Sequence, residues 1–557
     1  MAIKNYSDII TDKKTPQTEP LFGKKMAKNN AGGWSFEVDN WVRLQRFIVL
    51  GSSEGSYYVA ERPLTIDNAK SVLKCIEEDG LRVVREVIEV STKGRAPKQD
   101  PAIFVLALAA AKGNAETRAA AYEAMPYVCR TGTTLFKFVA NSNALRGWGK
   151  GLRRAISNWY TSKTPDQLAY QVTKYQQRDG WSHRDVLRLA HTKTFDVDIN
   201  AVLRWCVVGI SDGGERSVNR KEHGTTVYPA VGIVPSLIQG MEDAKLADSK
   251  AQIVRLIQDY GLVREHIPTK WLNEPEVWEA LLEKMPLGAL LRNLGNLTKN
   301  GVIAPLSKGT VKVVEALSNR DSLKKARIHP ISILIALKTY ASGKGFKGSS
   351  TWQPNQKVVD ALDSAFYSSF EFVRPTGKNL CIGLDVSGSM DWSFSDSPLT
   401  SREIVGALSL VLSATEPNVF VGAFSSTFVP INFGKRSRLD DVMKAMQRIP
   451  MGRTDCAVPI IHAMQNKMDV DAFIVMTDNE SYCGAVHPTV ALKEYRKKFN
   501  KLSKLAVLAT TASSFSMADQ TDAGQMDFCG FDASVPTVLA DFIGGREEEL
   551  PIAEEVE

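Results

Sequence analysis

The spacing of apolar and polar residues changes character twice along this chain. Around Trp34–Val38 and Tyr57–Ala60 it alternates with a period near two, which predicts two short strands. From about Asp67 to about Phe372 the period becomes helical. Ala102–Lys112 (AIFVLALAAAK) is apolar on almost every side, which predicts a buried helix stopped by Gly113; Glu116–Val128 predicts the next helix after a short turn. Similar pairs recur through LLEKMPLGALLRNLG and ISILIALKTYASG. So long a run of short helical hairpins outgrows a single core, which stops growing near roughly 300 residues. It predicts an α-solenoid of HEAT-like pairs, each burying its face on the next, over a compact all-α bundle.

After Pro375 the pattern changes again. Five apolar runs of strand length, NLCIGL, VFVGAF, AFIVM, LAVLAT and MDFCGF, alternate with helical stretches such as REIVGALSLVLSAT and RLDDVMKAMQRI. Strand–helix alternation predicts a doubly wound, Rossmann-like parallel sheet, so the fold class is mixed: a helical solenoid followed by an α/β domain. The expected boundaries are a flexible, Lys-rich segment at 1–30, the solenoid at 31–373, the α/β domain at 374–546 and an acidic tail at 547–557.

The α/β part carries the sharpest chemistry. LDVSGSM places Asp385, Ser387 and Ser389 after the first strand, MGRTDC places Thr454 on a later loop, and VMTDNE places Asp478 after a further strand. Ligands of open parallel sheets bind beyond the carboxyl ends of the strands. Two carboxylates and three hydroxyls there form an all-oxygen donor set suited to a hard divalent cation, Mg²⁺ before Ca²⁺. D-x-S-x-S alone can be an Asp-Ser turn bonding its own backbone; five groups in order, each after an expected strand, point to a metal site. The constellation resembles the metal-ion-dependent adhesion site of von Willebrand factor A domains. It departs from that pattern at Arg453, where Gly is usual, and a cation there either folds outward or weakens metal binding.

Charge divides the chain in the same place. Up to residue 374 there are 53 Lys+Arg against 38 Asp+Glu; from Pro375 onward there are 16 against 24. A basic body joined to an acidic module suits a nucleic-acid binder with a separate partner-facing domain, although a basic excess can also serve solubility alone. The seven cysteines are scattered singly, which fits a reducing cytosol. No apolar run is long enough to span a bilayer, and the N-terminus lacks the apolar core of a signal peptide. The expectation is a cytoplasmic protein without membrane contact.

The most informative helical segment is QVTKYQQRDGWSHRDVLRLAHTK, residues 171–193. Lys174 and Arg178, four apart, are expected on one helix face ended by Asp179-Gly180. Ser182 then caps the next helix with Asp185 as its capping-box partner, and Trp181 with Val186 as a hydrophobic staple. Val186, Leu187 and Ala190 should face the core; Arg184, Arg188 and His191 should share another face, with Lys193 following. A second basic stretch, Arg146-Gly-Trp-Gly-Lys150-Gly-Leu-Arg153-Arg154, interleaves cations with an aromatic, and Arg130 lies just upstream. Arrays of this kind neutralise phosphates and gain affinity from counterion release; Trp181 and His191 could stack on unpaired bases. The plain alternative is a solvated basic face.

Taken together, these segments resemble the Ro60 family of RNA-binding proteins, known in bacteria as Ro-sixty-related proteins. The resemblance rests on NNAGGWSFEVDNWVRLQRFIVLGSSEGSYYVAER, RGWGKGLRRAISNWY, VTKYQQRDGWSHRDVLRLAH, LLRNLGNLT, ARIHPISILIALKTYASGKG, LDVSGSM, TDCAVPI and VMTDNE. It implies a ring of HEAT-like repeats, the TROVE domain, closed by an A-type domain. It further implies Y RNA bound on the outer basic surface, with Lys174, Arg178 and His191 as contacts, and single-stranded 3′ ends of misfolded RNA in a central hole. It implies cooperation with a 3′ exoribonuclease, polynucleotide phosphorylase in bacterial relatives. The resulting expectation is a non-enzymatic, monomeric RNA scaffold acting in RNA quality control or decay. The alternative is a metal-dependent protein-interaction module whose basic face binds RNA non-specifically. No P-loop pattern and no base–nucleophile pair supports an enzyme.

Overall fold

The computed structural model describes residues 10–544, apart from 12, 53–55, 57–58, 210–232, 327, 371–374, 394–396 and 433–436. The expected strand around Tyr57-Tyr58 and the acidic tail lie outside the described residues. The strand at Trp34–Glu37 is present.

Helices dominate from Asn40 to Ser368. Asp100–Lys112 is the expected buried helix: Ala102 through Ala110 are nearly all inaccessible, and Gly113 caps it by donating to the Ala109 carbonyl. Ala115–Val128 follows, capped by Asn114. Helices pack on their next and next-but-one neighbours: Glu61–Thr92 on Asp100–Lys112 and Ala115–Val128, Asp100–Lys112 on Gly132–Leu145, and Ala115–Val128 on Lys150–Thr161. That stacking order is what a solenoid of hairpins requires. The solenoid returns to its start, because His329 Nε2 lies 3.4 Å from the Arg95 carbonyl, 234 residues earlier.

The α/β domain contains a six-stranded sheet in the order 525–529, 504–509, 472–477, 379–385, 418–424, 428–430. Its first five strands are parallel; the three-residue edge strand Phe428–Pro430 runs antiparallel and was not apparent from the sequence. Side chains alternate between two cores. Leu380, Ile382, Ile474 and Leu508 join a core continuous with the solenoid, whereas Cys381, Phe473, Val475 and Val507 face a separate one under helices Val458–Gln465 and Pro488–Lys498. Gly383 sits in the central strand where a Cβ would come within 2.6 Å of Pro459, so only glycine lets that helix close on the sheet.

The N-terminal stretch departs from its expected looseness. Ile10 and Gln17 are buried, and Met26–Lys28 pairs with Trp34–Glu37, which pairs in turn with Phe515–Ser516. Its polar side chains find buried partners on the α/β domain, which composition alone does not reveal. The two regions are joined by Arg46, only 1% exposed, whose Nη2 is 2.5 Å from both Asp527 carboxylate oxygens and whose Nη1 donates to the Ser513 and Phe515 carbonyls. Asp532 adds a second tie, 3.6 Å from Arg95 Nε. The seven cysteines are unpaired. No described helix is long and apolar enough to cross a membrane.

Candidate metal centre and nucleic-acid face

Asp385, Ser387, Ser389 and Asp478 come together at the carboxyl end of the sheet, and Thr454 lies on the loop beside them, its carbonyl accepting from the Ser481 hydroxyl at 3.2 Å. Asp385 ends the central strand and Asp478 follows its neighbour, Ala472–Thr477. All five groups are 5% exposed or less. Asp385 Oδ1 accepts from the Ser387 N–H at 2.9 Å and Oδ2 from the Thr477 hydroxyl at 2.6 Å. The Ser387 and Ser389 hydroxyls lie 3.2 Å apart, and Ser389 is near enough to Asp478 to oppose the rise in its pKa. Asn479 then turns the chain with φ of 67°, a left-handed conformation that asparagine tolerates.

Burial raises the Asp385 pKa, partly offset by its hydrogen bonds and by Arg402. Burial, then the charges of Asp385 and Glu480, push Asp478 up to about 8. Two carboxylates are therefore enclosed with too little positive charge. The Thr454 hydroxyl is buried without a hydrogen-bond partner. These donors fit a hard divalent cation, which would compensate both carboxylates and engage that hydroxyl. No group of three or more His, Cys, Asp or Glu side chains among the described residues could share a metal; this set has only two carboxylates and takes its other donors from hydroxyls. Arg453 is exposed while Thr454 beside it is buried, so the departure from the usual pattern folds outward.

Arg402 was not singled out from the sequence. It is 2% exposed, donates to the Val386 carbonyl at 2.9 Å and pairs with Asp391 at 2.9 Å. It is the second residue of the Ser401–Thr415 helix, and nothing in that local pattern marks its role beneath the motif.

The basic segment folds differently from its expected helix pair. The first helix stops at Lys174, and Gln177–Arg178 pairs antiparallel with Trp181–Ser182. Asp179 and Gly180 have φ of 51° and 79°, the positive pair of a type I′ hairpin turn. Lys174 and Arg178 therefore do not share a helix face. Lys174 is half-buried, hydrogen-bonded to the Tyr170 hydroxyl at 2.7 Å and set over the Tyr170 and Tyr175 rings. Tyr170, four residues back on the same helix, is a neighbour the spacing could have shown. Arg178 is exposed at the hairpin, 3.6 Å from Asp179.

The next helix, His183–Ala190, has the expected capping box: Asp185 N–H donates to Ser182 Oγ, and Ser182 N–H to Asp185 Oδ2. Val186, Leu187 and Ala190 are buried; Arg184 and Arg188 are exposed. His191 is the exposed, left-handed cap of this helix, φ 53°, and exposed Lys193 follows in the loop.

The second basic stretch meets the first. Helix Lys150–Thr161 packs on His183–Ala190, Trp148 and Trp181 lie 5.9 Å apart, and Ser157 bonds Thr192 at 3.1 Å. Lys150 and Arg154 are exposed there, while Arg153 is half-buried. Arg146 is tied back to the Ala111 carbonyl at 2.9 Å. Arg130 turns elsewhere: it donates to the Tyr127 carbonyl and lines a cavity of about 650 Å³ with Ser91, Gln99, Arg292 and His329, where the solenoid returns on itself.

The TROVE domain profile matches residues 27–339, and the Ro60 vWA domain profile matches 379–543. The chain is 39% identical over 548 residues to the RNA-binding protein RO60 of Deinococcus radiodurans, covering 98% of this chain and all of that one. It is 35% identical over 596 residues to the RNA-binding protein RO60 of Caenorhabditis elegans, covering 96% and 92%. The crystal structure of the Deinococcus radiodurans RO (RSR) protein superposes with a TM-score of 0.67 at 38% identity, covering 91% of this chain and all of that one. With two domain profiles in order and relatives aligned over almost its whole length, the chain belongs to the Ro60 family, a TROVE domain followed by a von Willebrand factor A domain.

Proposed function

We propose that this protein is a non-catalytic RNA-binding scaffold. Its outer basic surface holds a small noncoding Y RNA, and a central hole takes single-stranded 3′ ends of misfolded RNA, in a pathway of RNA quality control or decay. The observation that carries this reading is the union of two basic stretches, 146–154 and 174–193, through the Trp148–Trp181 contact and adjoining helices. Exposed Lys150, Arg154, Arg178, Arg184, Arg188, His191 and Lys193 share that region, with half-buried Lys174 at its edge. Such a surface grips phosphates by charge and reads the shape of a folded RNA more than its sequence. The names of its relatives as RNA-binding proteins support the same reading.

The return of the solenoid at Arg95 and His329 supports a closed ring with a hole that admits only free ends. A 3′ exoribonuclease such as polynucleotide phosphorylase is the partner that could consume such an end. The chain works as a cytoplasmic monomer with Mg²⁺ at Asp385, Ser387, Ser389, Thr454 and Asp478. One site of two carboxylates and three hydroxyls differs from the carboxylate-rich pairs of two-metal nucleases, which supports a non-enzymatic role.

The test is filter binding of the RNA that co-purifies from native cells. Replacing Lys174 and Arg178 together with Ala should weaken binding at least tenfold and flatten the log–log salt slope by about 1.5. Unchanged affinity and slope would overturn the assignment.

A second reading, a metal-dependent protein-interaction module, is favoured by the rim of the metal centre. Trp392 is 41% exposed beside the Asp385 loop, and Met451 is 60% exposed beside exposed Arg453. Protein capture that survives RNase, disappears with chelator and is lost in Asp385→Ala would support it.

A further inference from the structure

The loops bearing Thr454 and Asp478 are held by a segment that begins more than four hundred residues earlier in the chain. Gln17 is fully buried; its Nε2 donates to Asp455 Oδ1 at 2.7 Å and to the Val486 carbonyl at 2.8 Å. Its Oε1 accepts from the Ser481 hydroxyl. That hydroxyl also lies 3.2 Å from the Thr454 carbonyl and accepts from the Cys456 N–H at 3.1 Å. Gln17 thus joins the residue after Thr454 to the loop after Asp478. Farther along, Asn29 Nδ2 donates to the Ser481 carbonyl at 2.8 Å, and Asn30 binds both Glu480 oxygens, through its N–H at 2.8 Å and its side chain at 2.7 Å. Gly33 lies so close that a Cβ would come within 2.1 Å of the Ser481 carbonyl oxygen.

We propose that residues 13–37 form a docked arm that positions the metal centre, so that cation binding and arm docking reinforce each other. The inference rests on the metal reading above. Gln17, Asn29 and Asn30 are positioning residues, because they touch the loops and not the five donors. Binding linkage is reciprocal: an arm that favours the cation is itself held by the cation to the same factor. The arm leads straight into Trp34–Glu37 and helix Asn40–Leu50, whose Arg46 pairs with Asp527. Cation occupancy is thereby transmitted to the first helix of the RNA-binding body.

The experiment uses the full chain and Mg²⁺ alone, with two readouts. Calorimetric titration should show Gln17→Ala binding Mg²⁺ roughly tenfold more weakly, within the usual range of coupling between sites. In the unaltered protein, tryptic cleavage at Lys13, Lys14, Lys24 and Lys25 should slow severalfold in saturating Mg²⁺ relative to EDTA, and Asp385→Ala should erase that difference. Cleavage that ignores Mg²⁺ in a protein that binds it overturns the linkage and leaves the metal site standing, even if Gln17→Ala fails to fold. Equal Mg²⁺ affinity in folded Gln17→Ala does the same. No Mg²⁺ binding by the unaltered protein overturns both. A merely structural arm would not make proteolysis depend on the cation.

Discussion

The candidate metal centre and the basic face are built in opposite ways. The five donors of the metal centre are between 0% and 5% exposed, and strand ends and loop hydrogen bonds fix their positions. The cations of the basic face lie mostly in solvent, on a hairpin, a helix end and loops. A cation site of this kind would meet its organisation cost during folding and discriminate by geometry. An RNA face of this kind would keep its charges hydrated until a polyanion arrives, and its affinity would follow charge density and salt. Substitutions among the buried donors should therefore cost more than those on the surface, which should lose affinity in small increments.

The two regions are expected to be separable in RNA affinity but not in folding. Arg46→Ala should test the latter most severely, since it leaves the Asp527 carboxylate unpaired in the joint; a destabilisation of about 3–5 kcal/mol is expected in urea denaturation. A loss below 1 kcal/mol would mean that the regions fold independently. Next in size, Asp385→Ala should weaken Mg²⁺ binding by more than about 100-fold, beyond the effect of losing an outer-shell partner, while RNA affinity stays within twofold. A parallel fall in RNA affinity would merge the two sites. Smaller again, Arg184→Ala and Arg188→Ala should each lower the salt slope of RNA binding by about 1, with nearly additive effects; strong non-additivity would reveal a geometric pocket in place of a charged surface.

Much of this was legible in the chain because the relevant periods are local. The switch from helical period to strand–helix alternation after Pro375 locates the α/β domain, and Asp385 and Asp478 each follow an apolar run that is a strand. Asp179-Gly180 is expected from the sequence to end a helix, whereas both residues take positive φ and form a hairpin turn, so the helical spacing of Lys174 and Arg178 misleads. The role of Arg46, Gln17 and Arg402 was not legible, since each acts through partners set by tertiary structure. Gln17 and Asn30 sit in a polar, Lys-rich stretch, and their partners, Asp455 and Glu480, are 438 and 450 residues away.

The smallest expected effect separates the regions by pH. Burial lowers the His183 pKa to about 3, and its Nδ1 is 2.7 Å from the Tyr160 hydroxyl. The folded value lies below the unfolded one, so the unfolded chain binds the extra proton. The stability held by this neutral ring is fully present above about pH 6.5 and is lost progressively as pH falls toward 3. Urea denaturation of the double variant Tyr160→Phe, His183→Leu should show a shallower decline between pH 6.5 and 4.5. An identical slope would assign acid sensitivity to other groups.

The long reach of the N-terminal arm has a consequence for biosynthesis. Gln17 and Arg46 leave the ribosome early, yet their partners at Asp455, Ser481 and Asp527 emerge hundreds of residues later. At about 5–20 residues per second, that interval is on the order of half a minute to a minute and a half. Throughout it, the arm carries side chains whose final contacts do not yet exist. A strand made 481 residues later is thus the one that secures helix Asn40–Leu50.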